Sequence, residues 1–363
     1  MAPLGVPILH YKVQQTTPGD GHVLALTSSP VLMIPTDDSS QTLARTCEKL
    51  RRDIGPEYLA ALEDPRTVEL LINPDGRVWV ERLGEPMCCI GEMSLFRTEA
   101  VIRTVAGYHG KEVHRYAPTL EGELPLDGSR FAGQLPPIVQ GPALAIRKRA
   151  VAIFTLDEYV AAGIMPPAFS RAICDAVAGH LNILVTGGTG SGKTTLVNAI
   201  VAEMVRTDPR ERLVIIEDTG EIQCAAENAV FYHTSAEVSM RQLLRTTLRM
   251  RPDRILVGEV RGPEALDLLM AWNTGHEGGA ATLHANDALA GLTRLAMLIS
   301  KHPDAPAPIE PLIAEAVHLI VHIERTRPGR RVPEILRVRG FDIHRGYRAE
   351  PVAVEPAAAT SQV

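Results

Sequence analysis

The sequence predicts an α/β fold: a mostly parallel sheet covered by helices, preceded by a smaller α+β domain. Beyond residue 167, short apolar runs alternate with helical stretches, which is typical of a parallel sheet with helices on its faces. The runs are NILVTG, RLVIIED, RILVGEV and AATLHA. They are apolar at successive positions, as expected for strands that are buried on both faces. Before residue 150, β-rich runs and single helices occur without that alternation, which favours an α+β arrangement.

The composition is that of a globular protein. The 363 residues are 45% hydrophobic and 22% charged, which is enough apolar surface for a sizeable core. A formal net charge of −6 does not favour a strong, sequence-independent grip on nucleic acid. Five cysteines without a C-x-x-C pair argue against a disulfide framework or a cysteine zinc site. Because neither a secretory signal nor an apolar stretch of about 18 residues is visible, we expect a cytoplasmic chain.

The N-terminal part is predicted to begin with a mobile leader over residues 1–40, which are rich in Pro, Ser, Thr, Gly and Asp. A helix is predicted from Gln41 to Leu62 because apolar side chains recur there at helical spacing. Basic side chains accompany them, so this helix could lie on a membrane surface or be an ordinary surface helix. The side chains concerned are Leu43, Cys47, Leu50 and Ile54, with Arg45, Lys49, Arg51 and Arg52.

A hairpin is predicted where the runs TVELLI and RVWVERL flank Asn-Pro-Asp-Gly at residues 73–76. A second helix is predicted from Ser94, its N-cap, to about Gly107. Its exposed side would carry Arg97, Glu99 and Arg103. Hairpins and loops are expected over residues 116–150, which completes an α+β domain over residues 41–150.

The second half is predicted to consist of a linker at residues 151–167, an α/β domain at 168–345 and a disordered tail at 346–363. The helices of this domain are predicted in GKTTLVNAIVAEMV, MRQLLRTTLRM, PEALDLLMAW and ALAGLTRLAMLI. The segment PIEPLIAEAVHLIVHIERT is predicted to form one more helix and strand.

A phosphate-binding loop is the strongest signal in the sequence. The run matches G-x-x-x-x-G-K-[ST] and lies between an apolar strand and a helix, the context that supports this motif. Its residues are Gly187, Gly188, Thr189, Gly190, Ser191, Gly192, Lys193, Thr194 and Thr195. Glycines let successive backbone N–H groups point at phosphate oxygens, and the following helix directs its positive end at the same anion. Lys193 would reach the β- and γ-phosphates, and the Thr194 hydroxyl would ligate Mg²⁺.

Acidic residues follow two of the predicted strands. LVIIED gives Glu217 and Asp218, with Glu221 three residues further on, and ILVGE gives Glu259. The carboxyl ends of strands in such a sheet gather around the ligand. These acids are therefore candidates for binding the metal and activating water, with Glu259 also a metal ligand. A solvated strand end or a helix cap is the alternative for each.

Two histidines lie in the run TGHEGGAATLHAN. His276 and His284 could both stand near the γ-phosphate and sense its presence, or each could be a buried structural histidine. A zinc protease motif is excluded, because the second histidine of H-E-x-x-H would fall on Ala280.

The run LLRTTLRMRPDRILVGEVRGPEALDLLMAWNTGHEGGAATLHAND resembles the ATPases of type II and type IV secretion systems. Within that family it is most similar to conjugal-transfer ATPases of the TrbB type, as are LINPDGRVWVERLG, ELPLDGSRFAGQLPPIV and ALAIRKRA. The resemblance covers roughly residues 41–345. It implies a RecA-like P-loop ATPase domain behind a smaller N-terminal domain, using ATP and Mg²⁺. It also implies a homo-hexameric ring that works with inner-membrane components of a secretion channel, on the cytoplasmic face of that membrane.

The resemblance also assigns residues. The run GGTGSGKTT would be the Walker A loop, and Glu217 to Glu221 the Asp box. Glu259 would be the Walker B acid, and residues 274–284 the His box. Arg130 and Arg147 stand where the family places arginines over the nucleotide, although both could simply solvate a hairpin. The chain lacks the tetracysteine loop of many relatives, and Thr219 replaces a proline of pilus motors. Both departures favour the conjugation branch.

The leading hypothesis is therefore a Mg²⁺-dependent ATP hydrolase that powers conjugative DNA transfer through a type IV secretion apparatus. Three alternatives stay open: a DNA-translocating motor, a pilus-assembly or retraction motor with the same nucleotide core, and a non-hydrolysing switch. Direct nucleic-acid binding is not expected, because only 4% of residues are aromatic and few stand near the basic clusters.

Overall fold

The computed structural model describes residues 37–148, 154–235, 237–327 and 329–354. Contacts between residues divide the chain into two units at Thr42, and the second unit begins at Leu43. Within the second unit the described residues form two sheets, of six and eight strands. The predicted leader lies outside the described residues up to residue 36. The predicted domain limits stay predictions.

The smaller sheet is antiparallel, with strand order β3-β2-β1-β6-β5-β4. Its strands are β1 (Thr67–Ile72), β2 (Arg77–Arg82), β3 (Cys88–Glu92), β4 (Thr119–Glu123), β5 (Arg130–Gln134) and β6 (Ala143–Arg147). The predicted hairpin at residues 73–76 is confirmed. Its turn closes when Gly76, at φ +86°, donates its N–H to the Asn73 carbonyl at 2.9 Å. The left-handed backbone there is the conformation that glycine tolerates best.

Helices α1 (Asp37–Ile54) and α2 (Pro56–Glu63) replace the single helix predicted from Gln41 to Leu62. The helix is interrupted at Gly55, whose φ is +84°, and Pro56 cannot donate a helical hydrogen bond. Leu50 and Ile54 are buried in the core of the smaller sheet, as in an ordinary surface helix.

Helix α3 (Leu95–Tyr108) begins as predicted, because the Ser94 side chain accepts a hydrogen bond from the N–H of Arg97. The prediction that Arg97 lies on the exposed side is wrong. Its guanidinium is half-buried and donates to the carbonyls of Asp53 and Ile54, at 3.0 and 2.9 Å. The last carbonyls of a helix have no hydrogen-bond donor within the helix, and Arg97 provides donors for two of them at the end of α1.

The larger sheet has the strand order β14-β13-β12-β7-β11-β10-β8-β9. Its strands are β7 (Ile183–Gly187), β8 (Leu213–Glu217), β9 (Ala229–His233), β10 (Arg254–Val257), β11 (Ala280–His284), β12 (Leu319–Thr326), β13 (Gly329–Asp342) and β14 (Gly346–Pro351). The run from β12 to β9 is parallel, and β13 and β14 are antiparallel at one edge. The prediction of a disordered tail from residue 346 is wrong for residues 346–351, because they pair with β13. Residues 355–363 lie outside the described part.

Helices cover both faces of this sheet, so the predicted fold class is confirmed. They are α4 (Leu156–Ala161), α5 (Pro167–Ala178), α6 (Lys193–Thr207), α7 (Met240–Thr247), α8 (Glu264–Trp272), α9 (Ala288–Ile299) and α10 (Glu310–Ala316). One core lies under α4, α5 and α6, and the other under α7 to α10. Helix α4 falls in the stretch predicted as a linker, where Leu156 and Tyr159 are buried in the first of these cores. In the described part of the chain, no helix combines the length and apolar character needed to cross a bilayer.

A buried ion pair joins the start of β10 to the loop before β8. Arg254 is 0% exposed and binds both carboxylate oxygens of Glu211, one of them at 3.2 Å. Its guanidinium also donates to the carbonyls of Gly278 and Val177, each at 3.0 Å. His180 contacts the same carboxylate at 2.8 Å.

Replacing Arg254 with methionine should lower the free energy of unfolding by about 3 kcal/mol, because Glu211 would lose its main cation while remaining buried. Urea denaturation monitored by circular dichroism measures this. Adding Glu211→Leu should recover most of the loss, since a buried apolar pair needs no counter-charge. Arg339→Met, which removes an exposed pair with Glu350, serves as the control and should cost less than about 1 kcal/mol. An equal cost for both arginines would contradict the expectation.

Candidate nucleotide site

A cavity of about 390 Å³ opens at the carboxyl edge of the larger sheet, where the smaller sheet faces it. This volume suits a small organic ligand. Most of the residues predicted for a nucleotide site line it. From the phosphate loop these are Thr189, Gly190, Ser191, Gly192, Lys193, Thr194 and Thr195, and from elsewhere Arg130, Arg147, Glu217, Glu221, Glu259 and His284.

The phosphate loop joins β7 to α6, as the motif predicts. Gly190 and Gly192 have φ values of +69° and +97°, a left-handed backbone that favours glycine. A side chain on Gly187 would collide with the Ile323 carbonyl and the Ser191 hydroxyl. A side chain at Gly188 would meet nothing within 4 Å, so the loop is open on that side. The loop therefore combines a tight backbone with room above it for a ligand.

Lys193 lines the cavity and is only 8% exposed. Its Nζ donates to the carbonyls of Gly187 and Gly188 at 3.0 and 2.9 Å, and lies 3.4 Å from the His284 ring. Burial lowers the pKa of Lys193, while the carboxylates of Glu259 and Glu221 oppose this change. A buried cation among weak carbonyl partners would gain much from an arriving phosphate.

Glu259 stands just beyond the end of β10, and both of its oxygens are engaged. One oxygen pairs with Arg261 at 2.6 Å and the other with His284 at 3.0 Å. Arg261 also binds Asp218 at 3.0 Å, and the Glu259 carboxylate raises its pKa. Burial and then the charge of Lys193 lower the pKa of His284, which favours a neutral ring at pH 7. The acid is thus held in place beside the phosphate loop.

Glu217 and Glu221 differ in their surroundings. Glu217 is 3% exposed and accepts the N–H groups of Glu221 and Ile222, at 3.1 and 3.0 Å. The backbone that it binds is the loop that carries Glu221, so Glu217 has the contacts of a positioning residue. Glu221 accepts the Thr194 hydroxyl at 3.2 Å. It therefore lies directly against the phosphate loop.

Arg130 and Arg147 are opposite each other on β5 and β6 of the smaller sheet, and both line the cavity. Arg147 acts to lower the pKa of Lys193, as a nearby positive charge does. Glu69 is opposite Arg147 on β1. Burial raises the pKa of Glu69, and Arg147 opposes this. Both arginines thus line the same cavity as the phosphate loop.

His276 does not join this site, and its prediction as a partner of His284 is wrong on geometry. It precedes β11, whereas His284 ends that strand. The two rings therefore lie at opposite ends of a five-residue strand, about 13 Å or more apart along the sheet. The run AATLHA, itself a predicted strand, lies between the two histidines in the sequence.

The cavity also holds residues that the sequence did not single out. Arg261, two residues after Glu259, could have been found because it follows the same strand end. Phe154 and Arg330 could not, since only the fold brings them to the loop. Phe154 is 43% exposed, and it lines the cavity together with Val68 and Leu83. Apolar side chains of this kind are suited to an aromatic ring.

Oxygen ligands at the loop fit a magnesium ion. The Thr194 hydroxyl and the Glu221 and Glu259 carboxylates are oxygen donors of the kind that Mg²⁺ prefers, and Mg²⁺ takes few of them alongside substrate phosphates. The buried Ser191 hydroxyl has no hydrogen-bond partner among the described residues. A polar atom left unpaired in this way is expected where a ligand completes the site.

Comparisons with known proteins agree with this geometry. Residues 124–334 match the family described as type II/IV secretion system protein. The conjugal transfer protein TrbB of Rhizobium radiobacter is 50% identical over 297 residues, covering 82% of this chain and 91% of that protein. The type IV secretion system protein PtlH of Bordetella pertussis is 35% identical over 292 residues, covering 71% and 85%.

Two solved structures share the fold. The ATPase DotB of Legionella pneumophila matches with a TM-score of 0.55 at 21% identity, over 79% of this chain and 80% of that one. The pilus retraction motor PilT with bound ADP matches with a TM-score of 0.54 at 18% identity, over 85% and 83%. The sheet order, the loop and these likenesses define a RecA-like P-loop fold behind a smaller N-terminal sheet.

Because it matches the family over residues 124–334 and is 50% identical to TrbB proteins over 297 residues, the chain belongs to the type II/IV secretion system family and is TrbB-like.

Proposed function

We propose that this protein is a Mg²⁺-dependent ATP hydrolase that energises conjugative DNA transfer through a type IV secretion apparatus. One observation carries the proposal: the phosphate loop with its buried Lys193 is surrounded within one cavity by Glu221, Glu259 and His284. A lysine, a hydroxyl and acids at strand ends are the parts that phosphoryl transfer needs. The TrbB relatives supply the setting in conjugation.

The residues of the cavity would have different roles in hydrolysis. Lys193 would leave the loop carbonyls and bind the phosphates, and the Thr194 hydroxyl and Glu221 would hold the ion. Mg²⁺ bound there would neutralise charge on the phosphate oxygens. Glu259 would orient the attacking water and accept its proton once one of its two present partners gives way. Arg130 and Arg147 would neutralise charge on the transferring phosphoryl group.

We also propose that the protein works as a homo-hexameric ring at the cytoplasmic face of the inner membrane, against membrane components of the channel. The two sheets meet across the nucleotide cavity, so a change from ATP to ADP would alter the contacts between them. Differential affinity of two such arrangements for ATP and ADP is what would drive motion.

Phosphate release by the purified protein tests the function. We expect hydrolysis with ATP and Mg²⁺, loss of hydrolysis with excess EDTA, and no strong stimulation by single-stranded DNA. A many-fold stimulation with steep salt dependence would favour a DNA-translocating motor instead. No hydrolysis under any of these conditions would contradict the proposal.

A further inference from the structure

Five charged side chains, one from each of five adjacent strands, form a row across the smaller sheet. The pairing register sets Glu81 opposite Glu69, Glu69 opposite Arg147, Arg147 opposite Arg130, and Arg130 opposite Glu123. Directly opposed residues project from the same face of a sheet. We call these five residues the charged row.

The adjacent row shows which way the charged row faces. One position along, the register aligns Val80, Leu70, Ile146 and Phe131, and all four are buried at 1% exposure or less. Successive residues of a strand alternate between faces. The charged row therefore lies on the face turned away from the core, where Arg130 and Arg147 line the nucleotide cavity.

One end of the charged row contacts the larger sheet, and the other end contacts the loop that follows β8 of that sheet. At one end, Glu81 pairs with Arg325 of β12 at 3.0 Å. At the other end, Glu123 accepts the N–H of Gly220 at 3.5 Å. Arg130 and Arg147 thus lie between these two contacts in the charged row. Contacts on both sides of the two arginines restrict tilting of the smaller sheet.

Each attachment leads back to the phosphate loop. A methyl group placed on Gly190 would lie 3.8 Å from the second terminal nitrogen of Arg325, so this guanidinium is beside the loop as well as on Glu81. Gly220 precedes Glu221, which accepts the hydroxyl of Thr194. The phosphate loop is therefore connected to one end of the charged row through Arg325, and to the other end through the loop segment of Gly220 and Glu221.

We propose that Glu81 and Arg325 are positioning residues, which hold the charged row so that Arg130 and Arg147 meet the terminal phosphate. This inference rests on the proposed hydrolysis of ATP. Guanidinium groups stabilise a transferring phosphoryl group only when their placement is accurate. Neither Glu81 nor Arg325 is among the residues that line the nucleotide cavity. Loss of the pair would therefore act on hydrolysis through the two arginines.

A double-mutant cycle on hydrolysis tests this proposal. Glu81→Gln keeps the size of the side chain, Arg325→Gln shortens it, and each removes one charge of the pair. Each variant should lower kcat at least about fivefold, as loss of an accurately placed charge-assisted contact does. The double variant should be no worse than the poorer single variant, because one interaction is removed in all three. Glu81→Gln should bind ADP within about twofold of wild type but bind a non-hydrolysable ATP analogue more weakly, since ADP lacks the terminal phosphate.

Controls separate this from a structural effect. An exposed ion pair contributes little to stability, so the unfolding midpoint of Glu81→Gln should stay close to that of wild type. Glu63→Gln, which breaks the exposed pair with Arg51, should leave kcat unchanged. If the wild type hydrolyses ATP and needs Lys193, but the two Gln variants have wild-type kcat or multiply their effects, this inference alone is overturned. A wild type without hydrolysis would overturn the proposed function and this inference with it.

Discussion

Replacing Lys193 with alanine should reduce ATP hydrolysis on the order of a thousandfold, the scale of losing a charged group that stabilises the transition state. This side chain is the buried cation of the phosphate loop, 3.4 Å from the His284 ring and donating to two loop carbonyls. Without it, the phosphates would lose the positive charge that is nearest to the loop amides. Initial rates of phosphate release at saturating ATP measure the change.

Binding should weaken as well in the Lys193→Ala variant. Loss of a charge-assisted hydrogen bond corresponds to roughly a tenfold to hundredfold weaker affinity for the nucleotide, which calorimetry measures. Lys301→Ala is the matched control, because that lysine is exposed and stands away from the cavity. Turnover that survives the Lys193 change would remove the assignment of the phosphate loop.

The second large effect is expected from Glu259→Gln, which should lower kcat about a thousandfold, within the range for losing a general base. Affinity for ATP should remain within a few-fold of wild type, because the amide keeps the size of the side chain and Lys193 is untouched. The measurement is a comparison of single-turnover rates with equilibrium binding of a fluorescent ATP analogue.

Glu350→Gln provides the control for that variant, since Glu350 is an exposed acid paired with Arg339. It should have the turnover of wild type. If Glu259→Gln kept full activity, the acid would be a structural partner of Arg261 and His284 rather than the base. A variant that lost ATP binding and turnover together would also contradict this role.

Local sequence was enough to predict the centre of the site. The motif from Gly187 to Thr194 specifies its own strand, loop and helix, so its conformation depends little on distant residues. Glu221 and Glu259 could be predicted because parallel strands place their carboxyl ends at one edge. The catalytic roles of these residues stay predictions, which the experiments above address.

Long-range pairing could not be predicted. Glu81 and Arg325 are 244 residues apart in the chain, and only the register of the smaller sheet shows that the charged row shares one face with Arg130 and Arg147. The resemblance, and not the residue pattern, pointed to Arg130 and Arg147. Strand β9 is not among the predicted strands, because its apolar run AVFY is short and a run of that length does not by itself distinguish a strand from other structure.

The errors have local causes. The prediction groups His276 with His284 although the predicted strand AATLHA lies between them, and a strand of five residues separates what stands at its two ends by about 13 Å. The predicted helix from Gln41 to Leu62 includes Gly55 and Pro56, although a Gly-Pro pair commonly marks a turn or the end of a helix. The tail was predicted from its Ala and Pro content, but residues 346–351 extend the sheet through backbone hydrogen bonds to β13, which depend little on side-chain composition.

The most direct test of the central claim is a crystal structure with a non-hydrolysable ATP analogue and Mn²⁺, with the metal located by its anomalous signal. We expect the phosphates on the backbone N–H groups of residues 189–194, and the metal beside Thr194 with the Glu259 carboxylate turned towards it. A nucleotide bound elsewhere, or Glu259 directed into solvent away from the metal, would contradict the account.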